Sequence, residues 1–161
     1  MKGVVSLSLF LVFLVTSLAK AEGGRADLLL RDALSFAGKG DLERAEAMIA
    51  EALREKPDHP LCHDRLGYIL LRKGEAEAAF VEFTKALAVN PRLSSSMTGI
   101  GFVLILRGDL DAAERVLKEA LRLNPSPELT LYALGLVYEK KGDWRSAISR
   151  YREGLRRFRD R

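Results

Sequence analysis

The sequence predicts an all-α fold of four helix-turn-helix hairpins, and three observations predict it. Gly40, Gly74, Gly108 and Gly142 stand 34 residues apart, and so do Pro57, Pro91 and Pro125; a fixed period of this length marks a stacked repeat. Ala45, Ala79, Ala113 and Ala147 follow each glycine by five residues, and Ala52, Ala86, Ala120 and Gly154 by twelve. Ala, Leu, Arg and Glu dominate the 161 residues, with only 7% aromatics, a composition that favours helices over strands. Four units follow: 26–59, 60–93, 94–127 and 128–161.

The first residues lie outside this pattern. Lys2 gives a positive start, Val4 to Leu18 is almost wholly apolar, and Ala19-Lys20-Ala21 offers small residues for processing, which is the layout of a secretory signal. An apolar stretch of about 15 residues, interrupted by Ser6, Ser8, Thr16 and Ser17, is short of the roughly 20 that a membrane span needs. A signal peptide over 1–21, cleaved after Ala21, is expected, with an uncleaved membrane anchor as the alternative. The expected location is the periplasm or the secreted fraction. Cleavage removes Lys2 and Lys20 and lowers the net charge from +4 to +2 over the remaining 140 residues. Export implies an oxidising compartment, yet Cys62 is the single cysteine, so no intrachain disulfide can form and packing must carry the stability. Cys62 itself is expected to be buried or half-buried and inert.

Unit one follows the pattern most loosely, with Asp32 and Ala33 where the later units have Leu66-Gly67, Ile100-Gly101 and Leu134-Gly135. In unit two, Leu61 to Lys73 carries apolar residues at helical spacing until Gly74, which can take the left-handed conformation that closes a helix. Asp41, Asp109 and Asp143 follow the glycines of the other units and are good N-caps for the second helices; Glu75 breaks that pattern. Asn90-Pro91 and Asn124-Pro125 end the second helices, because proline cannot continue an α-helix and restricts the residue before it. Ser94 and Ser126-Pro127 read as cap and first-turn signals of the helices that follow. Gly67, Gly101 and Gly135 are expected to face Ala79, Ala113 and Ala147 where paired helices come closest. Leu66, Ile100, Leu134, Phe83, Leu117 and Tyr151 fill the space around them. From Trp144 onward seven arginines oppose Glu153 and Asp160, so the last helix carries +5.

The spacing, the Gly-x4-Ala turn signature and the closing proline together resemble the tetratricopeptide repeat family over essentially the whole chain beyond the signal. The first helices lack the aromatic that often opens them, having His63, Met97 and Leu131 there. The resemblance implies a right-handed superhelical solenoid whose concave face, lined by the first helices, is the usual ligand site. The family's groove positions fall on Leu30 and Leu34; on Asp64, Tyr68, Leu71 and Arg72; on Thr98, Phe102 and Ile105; and on Leu129, Tyr132, Leu136 and Glu139. One branch of the family binds C-terminal carboxylates through Lys, Asn and Arg at such positions. Leu30, Leu34 and Phe102 stand where that clamp needs polar groups, which puts this chain outside the branch. A groove of Tyr, Phe and Leu suits a peptide segment of a partner protein, extended or helical, with apolar anchors. The alternative is that several of these side chains pack between adjacent helices.

Arg145, Arg152, Arg156 and Arg159 mark a second contact surface for an acidic partner or anionic lipid headgroups, an attraction that salt weakens. A solvated, solubilising end is the alternative. Membrane contact is expected only through an uncleaved signal or this weak electrostatic attraction, and nucleic acid is not expected as a partner. Ile148, Leu155 and Phe158 at the same end make homo-oligomerisation a second reading, in which the chain is a self-associating structural protein. His59, Cys62, His63 and Asp64 gather both histidines and the thiol, but Cys62 and His63 are adjacent and point about 100° apart on a helix. Zinc needs three or four converging ligands, and covalent haem attachment needs a second cysteine close upstream. No glycine-rich phosphate loop or Gly-x-Ser-x-Gly elbow is present. The expectation is a protein-binding scaffold with no catalytic residues, no metal and no cofactor.

Overall fold

The computed structural model describes residues 24–124 and 127–159, and no strand occurs among them. The expected signal peptide and its cleavage site lie outside the described residues, as do Pro125 and Ser126. The chain divides into two compact units, Met1–Pro57 and Asp58–Arg161.

In the first unit, α1 (24–38) and α2 (Leu42–Glu55) form one hairpin. Gly40 turns the chain at φ 87°, and Asp41 caps α2 by accepting the Arg44 backbone N–H at 3.2 Å. Ala33, which replaces the usual glycine, is fully buried with Ala45, Ile49 and Ala52, so alanine is small enough for this contact. Arg25 reaches from α1 to Glu51 and Glu55 of α2 at 2.7 and 3.0 Å.

The second unit holds three hairpins: α3 (Pro60–Lys73) with α4 (Ala76–Val89), α5 (Ser94–Arg107) with α6 (Leu110–Leu123), and α7 (Glu128–Lys140) with α8 (Trp144–Arg159). Each second helix also packs on the first helix of the next hairpin, α4 on α5 and α6 on α7, while α3, α5 and α7 lie side by side. This is a solenoid of stacked hairpins. Gly74 closes α3 at φ 84°, with the Glu75 N–H donating to the Leu70 carbonyl at 2.9 Å; Gly108 closes α5 in the same way through Asp109 and Leu104. Only glycine takes this conformation without steric cost.

The caps differ in part from the sequence reading. Asp143 accepts the Ser146 N–H at 3.1 Å, but Asp109 makes no side-chain cap bond, and neither does Glu75. Ser94 is not a cap: Leu93 holds that position, and Ser94, Ser95 and Ser96 form the first turn of α5. There the Ser94 carbonyl accepts the Thr98 hydroxyl at 2.9 Å, and Ser96 turns inward. Pro127 is the N-cap of α7 rather than a first-turn residue.

The close approaches also differ. A Cβ added at Gly67 would fall 2.6 Å from the Phe83 ring, one at Gly101 2.6 Å from Leu117 Cγ, and one at Gly135 2.5 Å from Tyr151 Cδ1. The glycines therefore make room for the large side chains of the second helices rather than for Ala79, Ala113 and Ala147. Gly99 adds a contact that the repeat pattern does not show, since a Cβ there would also run into the Phe83 ring. The ring thus sits between Gly67 of its own hairpin and Gly99 of the next, fully buried with Ala79 and Val103. A second cluster of Ile105, Ala113, Leu117, Ala133, Leu134 and Val137 joins the last two hairpins.

Gly99→Ala should destabilise the protein. Overpacking costs about 1–3 kcal/mol, which outweighs the gain of up to about 1 kcal/mol in helix propensity. Phe83→Leu makes room for the added methyl, so the double variant should lose less stability than the two single losses combined, as read from urea unfolding midpoints.

Candidate protein-interaction surface

Whether a groove side chain is free depends on whether another hairpin follows it. Asp64, Thr98 and Tyr132 are equivalent by the 34-residue period, yet their exposures are 0%, 1% and 50%. Asp64 accepts the Ser96 hydroxyl at 2.6 Å, with its other oxygen facing Arg65 at 3.6 Å. Thr98 shares a hydrogen bond with Thr130 at 2.8 Å. Each is covered by the first turn of the next first helix. No described helix covers Tyr132.

The same logic sorts the remaining expected groove residues. Leu30 and Leu34 belong to the first unit, where Leu30 is buried and Leu34 exposed. Tyr68 is half-buried, and its hydroxyl donates to the Ser95 carbonyl at 2.7 Å; burial, aided by the Asp64 charge, raises its pKa well above the usual phenol range. Leu71 packs on the cluster that holds Phe83, and Phe102 packs on the Leu117 cluster. Ile105 is buried in that cluster. Leu30, Asp64, Thr98 and Ile105 are thus corrected from ligand positions to buried ones; for Asp64, Thr98 and Ile105 the next hairpin already occupies the space they face. Arg72 and Leu129 are exposed. Tyr68, Thr98 and Leu129, with Arg65, Ser95, Asn124 and Thr130, border a small pocket of about 230 Å³ across α3, α5 and α7.

Tyr132, Leu136 and Glu139 meet at a larger cleft of about 610 Å³ between α7 and α8, completed by Glu128, Tyr151, Gly154 and Leu155. The Tyr132 and Tyr151 rings lie 5.7 Å apart, and the Tyr151 hydroxyl donates to Glu139 at 2.7 Å. Burial and then the Glu139 carboxylate raise the Tyr151 pKa above the usual phenol range, so it remains a neutral donor. The cleft opens onto a stripe on α8 where Trp144, Ile148 and Leu155 are 62%, 48% and 69% exposed. With Tyr151 they recur at intervals of four, three and four residues, which puts them on one helical face. Sequence reading assigned Tyr151 to packing alone and did not single out Trp144 as a site residue. The signal was available, because the same four positions in α4 are Ala76, Phe80, Phe83 and Leu87.

At about 100° per residue, Arg145, Arg152, Arg156 and Arg159 lie on the face of α8 next to this stripe. Arg150 and Arg157 instead pair with Glu153, at 3.0 and 3.7 Å. Asp143 is held below the usual carboxylate range, first by its bonds to Ser146 and then by the Arg145 charge. The Phe158 side chain lies outside the described residues.

The cluster read for metal chemistry has structural roles. His59 is the N-cap of α3, its Nδ1 accepting the Cys62 N–H at 3.3 Å. His63 Nδ1 lies 2.6 Å from Glu82 of α4, and Cys62 is fully buried. Among the described residues no three His, Cys, Asp or Glu side chains converge on a metal position, and no helix is long and apolar enough to cross a membrane.

Hairpins stacked through small-residue contacts, with an aromatic surface left open on the last of them, define a helical repeat protein. Residues 29–159 match the family described as the cilia and flagella-associated protein 70 middle TPR-like domain, and the chain belongs to that TPR-like family. No curated protein matches the chain. Among solved structures it resembles Pseudomonas aeruginosa PilF, with a TM-score of 0.76 at 24% identity over 88% of this chain. The chain spans 64% of the length of that structure. MamA from Desulfovibrio magneticus RS-1 gives 0.67 at 20% identity, covering 84% of this chain and 77% of its own. The first TPR of Spaghetti (RPAP3), bound to the HSP90 peptide SRMEEVD, gives 0.68 at 15% identity, covering 74% and 95%. At these identities the likeness is one of fold.

A charged cluster ties α6 to the last hairpin. Glu114 receives Lys118 and Lys141 at 2.6 Å each and the Tyr138 hydroxyl at 3.0 Å, and these bonds, led by Lys118, lower its pKa from 4.5 to about 2. A depressed carboxyl pKa stabilises the fold fully above the unfolded value and loses that contribution as pH falls through the folded one. Glu114→Gln should therefore lower the urea midpoint at pH 7, and the difference from the parent should close as pH is lowered from about 4.5 to about 2.

Proposed function

We propose that the chain is an exported protein-interaction scaffold that acts by binding alone, holding a segment of a partner protein against the apolar and aromatic surface of its last hairpin. The observation that carries this reading is the open cleft of about 610 Å³, in which Tyr132, Leu136, Tyr151 and Leu155 present aromatic and aliphatic surface to solvent. Aromatic and aliphatic anchors in a water-excluding pocket are where binding energy concentrates, and exposed apolar patches continuous with a cleft mark interaction sites. Membership of the TPR-like family and the likeness to a TPR bound to a peptide support the same reading. The side chains support a different ligand chemistry from a carboxylate clamp, for the reason given by Leu34 and Phe102. Export is supported by the composition of residues 1–21.

A photoreactive residue placed at Leu155 should crosslink a partner in cells, while one at Val81, exposed on α4 away from the cleft, should not. Equal labelling from both positions, or none from Leu155, would count against the cleft. The intact mass of protein recovered from the extracytoplasmic fraction should correspond to a chain beginning at Glu22; a full-length chain confined to the cytosol would remove export from the reading.

A further inference from the structure

The two internal junctions of the second unit show how a hairpin end receives a helix. At the first, α5 places Gly99 over Phe83, inserts Ile100 and Val103 beside it, and sends Arg107 onto the start of α4. Arg107 donates to Glu77 at 2.9 Å and stacks on the Phe80 ring at 4.4 Å. At the second, α7 places Ala133, Leu134 and Val137 in the Leu117 cluster and sends Lys141 to Asp111 and Glu114, at 2.6 Å each. The incoming helix thus carries a small residue, apolar residues one and four positions later, and a cation eight positions later. The receiving helix offers an acid.

The last hairpin presents the same receiving surface with no described helix upon it, and with two changes. Tyr132 replaces the polar Asp64 and Thr98, so the residue that faces it must be small and needs no hydroxyl. Arg145 stands at the position of Glu77 and Asp111, so the charge that receives the incoming side chain is reversed. We propose that this face docks an amphipathic α-helix of a second protein, one that continues the stack and brings a carboxylate, not a cation, to Arg145. The proposal rests on the scaffold reading and specifies its partner.

A second copy of this chain is a poor occupant on the same grounds. Its α1 would bring Arg31 to the place of Gly99 and Ala133, and Lys39 to the place of Arg107 and Lys141. The first would set a long charged side chain over the Tyr151 ring, and the second would set a cation against Arg145. Two α8 helices packed face to face would oppose their rows of Arg145, Arg152, Arg156 and Arg159. Like charges at a contact work against wrong partners more than opposite charges strengthen right ones.

The test uses the purified protein and two lactam-stapled helical peptides of about 18 residues, long enough to hold a helix when stapled. Both copy the α7 pattern, with alanine in place of Thr130 and Ala133 kept. They differ only in carrying Glu or Lys at the position of Lys141. The Glu peptide should bind about fivefold more tightly than the Lys peptide, the scale of one exposed ion pair gained or opposed. Arg145→Glu should reverse the preference, and Leu155→Glu, at a solvent-facing position, should abolish both while circular dichroism stays unchanged. Sedimentation of the protein alone should show a monomer. Absence of binding, absence of preference, or a preference that Arg145→Glu leaves in place would overturn the proposal. So would self-association that Leu155→Glu removes, which would give the face to a second copy. If the Leu155 photocrosslink forms in cells while the peptides fail, the scaffold reading stands and the helix proposal falls.

Discussion

Each junction within the second unit depends on fitting one large side chain of a second helix against backbone bared by small residues on first helices. Phe83 shows the constraint most fully, with Gly67 on one side and Gly99 on the other. Glycine inside a helix costs roughly 1 kcal/mol relative to alanine, so its presence at both positions has to be offset. Full burial of a phenylalanine contributes about 1.5–3 kcal/mol, and only bare backbone lets the ring in. The fit recurs at the 34-residue period, since each hairpin of the second unit sets a large side chain, Phe83, Leu117 or Tyr151, against a glycine of its own first helix. Where the next helix has Ala133 in place of Gly99, the large residue shrinks to Leu117. Volume is conserved across the junction although residue identity is not.

A polar layer beside these contacts fixes the register between successive first helices. Asp64 with Ser96, Thr98 with Thr130, and the Tyr68 hydroxyl with the Ser95 carbonyl each join one first helix to the next. Buried polar groups are tolerated when paired and costly when not, so a slip of one residue along the stack would orphan several of them together. At the last hairpin the layer stops. Tyr132 occupies its position with a ring instead of a donor or acceptor held by a neighbour, which turns an internal register device into an open aromatic surface.

How much of this was legible in the sequence divides along the same line. The C-terminal ends of the helices were readable because they are local: Gly74 and Gly108 close their helices at φ 84°, and Asn90 and Asn124 cap the second helices ahead of proline. Groove exposure was not, because mapping a family position onto every unit treats the units alike. Asp64, Thr98 and Tyr132 share a position, but their burial is decided by the hairpin that follows. Gly99 escaped notice for a related reason: Arg65 and Ala133 occupy its place in the neighbouring units, so no repeat pattern marks it. His59 was weighed as a metal ligand although its position before Pro60 already suited an N-cap, where its ring accepts the Cys62 N–H.

A receiving face that no described helix covers is chemically the hardest part of a repeat protein to leave exposed, since the surface that receives a hairpin is apolar by construction. Solubility alone would be served by polar residues along the stripe, yet Trp144, Ile148 and Leu155 remain, and the charges gather beside them. Arg145 is the informative member. At Glu77 and Asp111 the receiving acid matches the cation that ends each first helix of this chain, including Lys39 and Lys73. Reversing that one charge leaves the apolar surface intact and removes the match to every described first helix. A surface arranged in this way is unsuited to its own copies without being passivated. The physical distinction between a face merely kept soluble and one kept for a partner lies in that combination: the apolar anchors are preserved, and the selectivity is carried by charge at their edge.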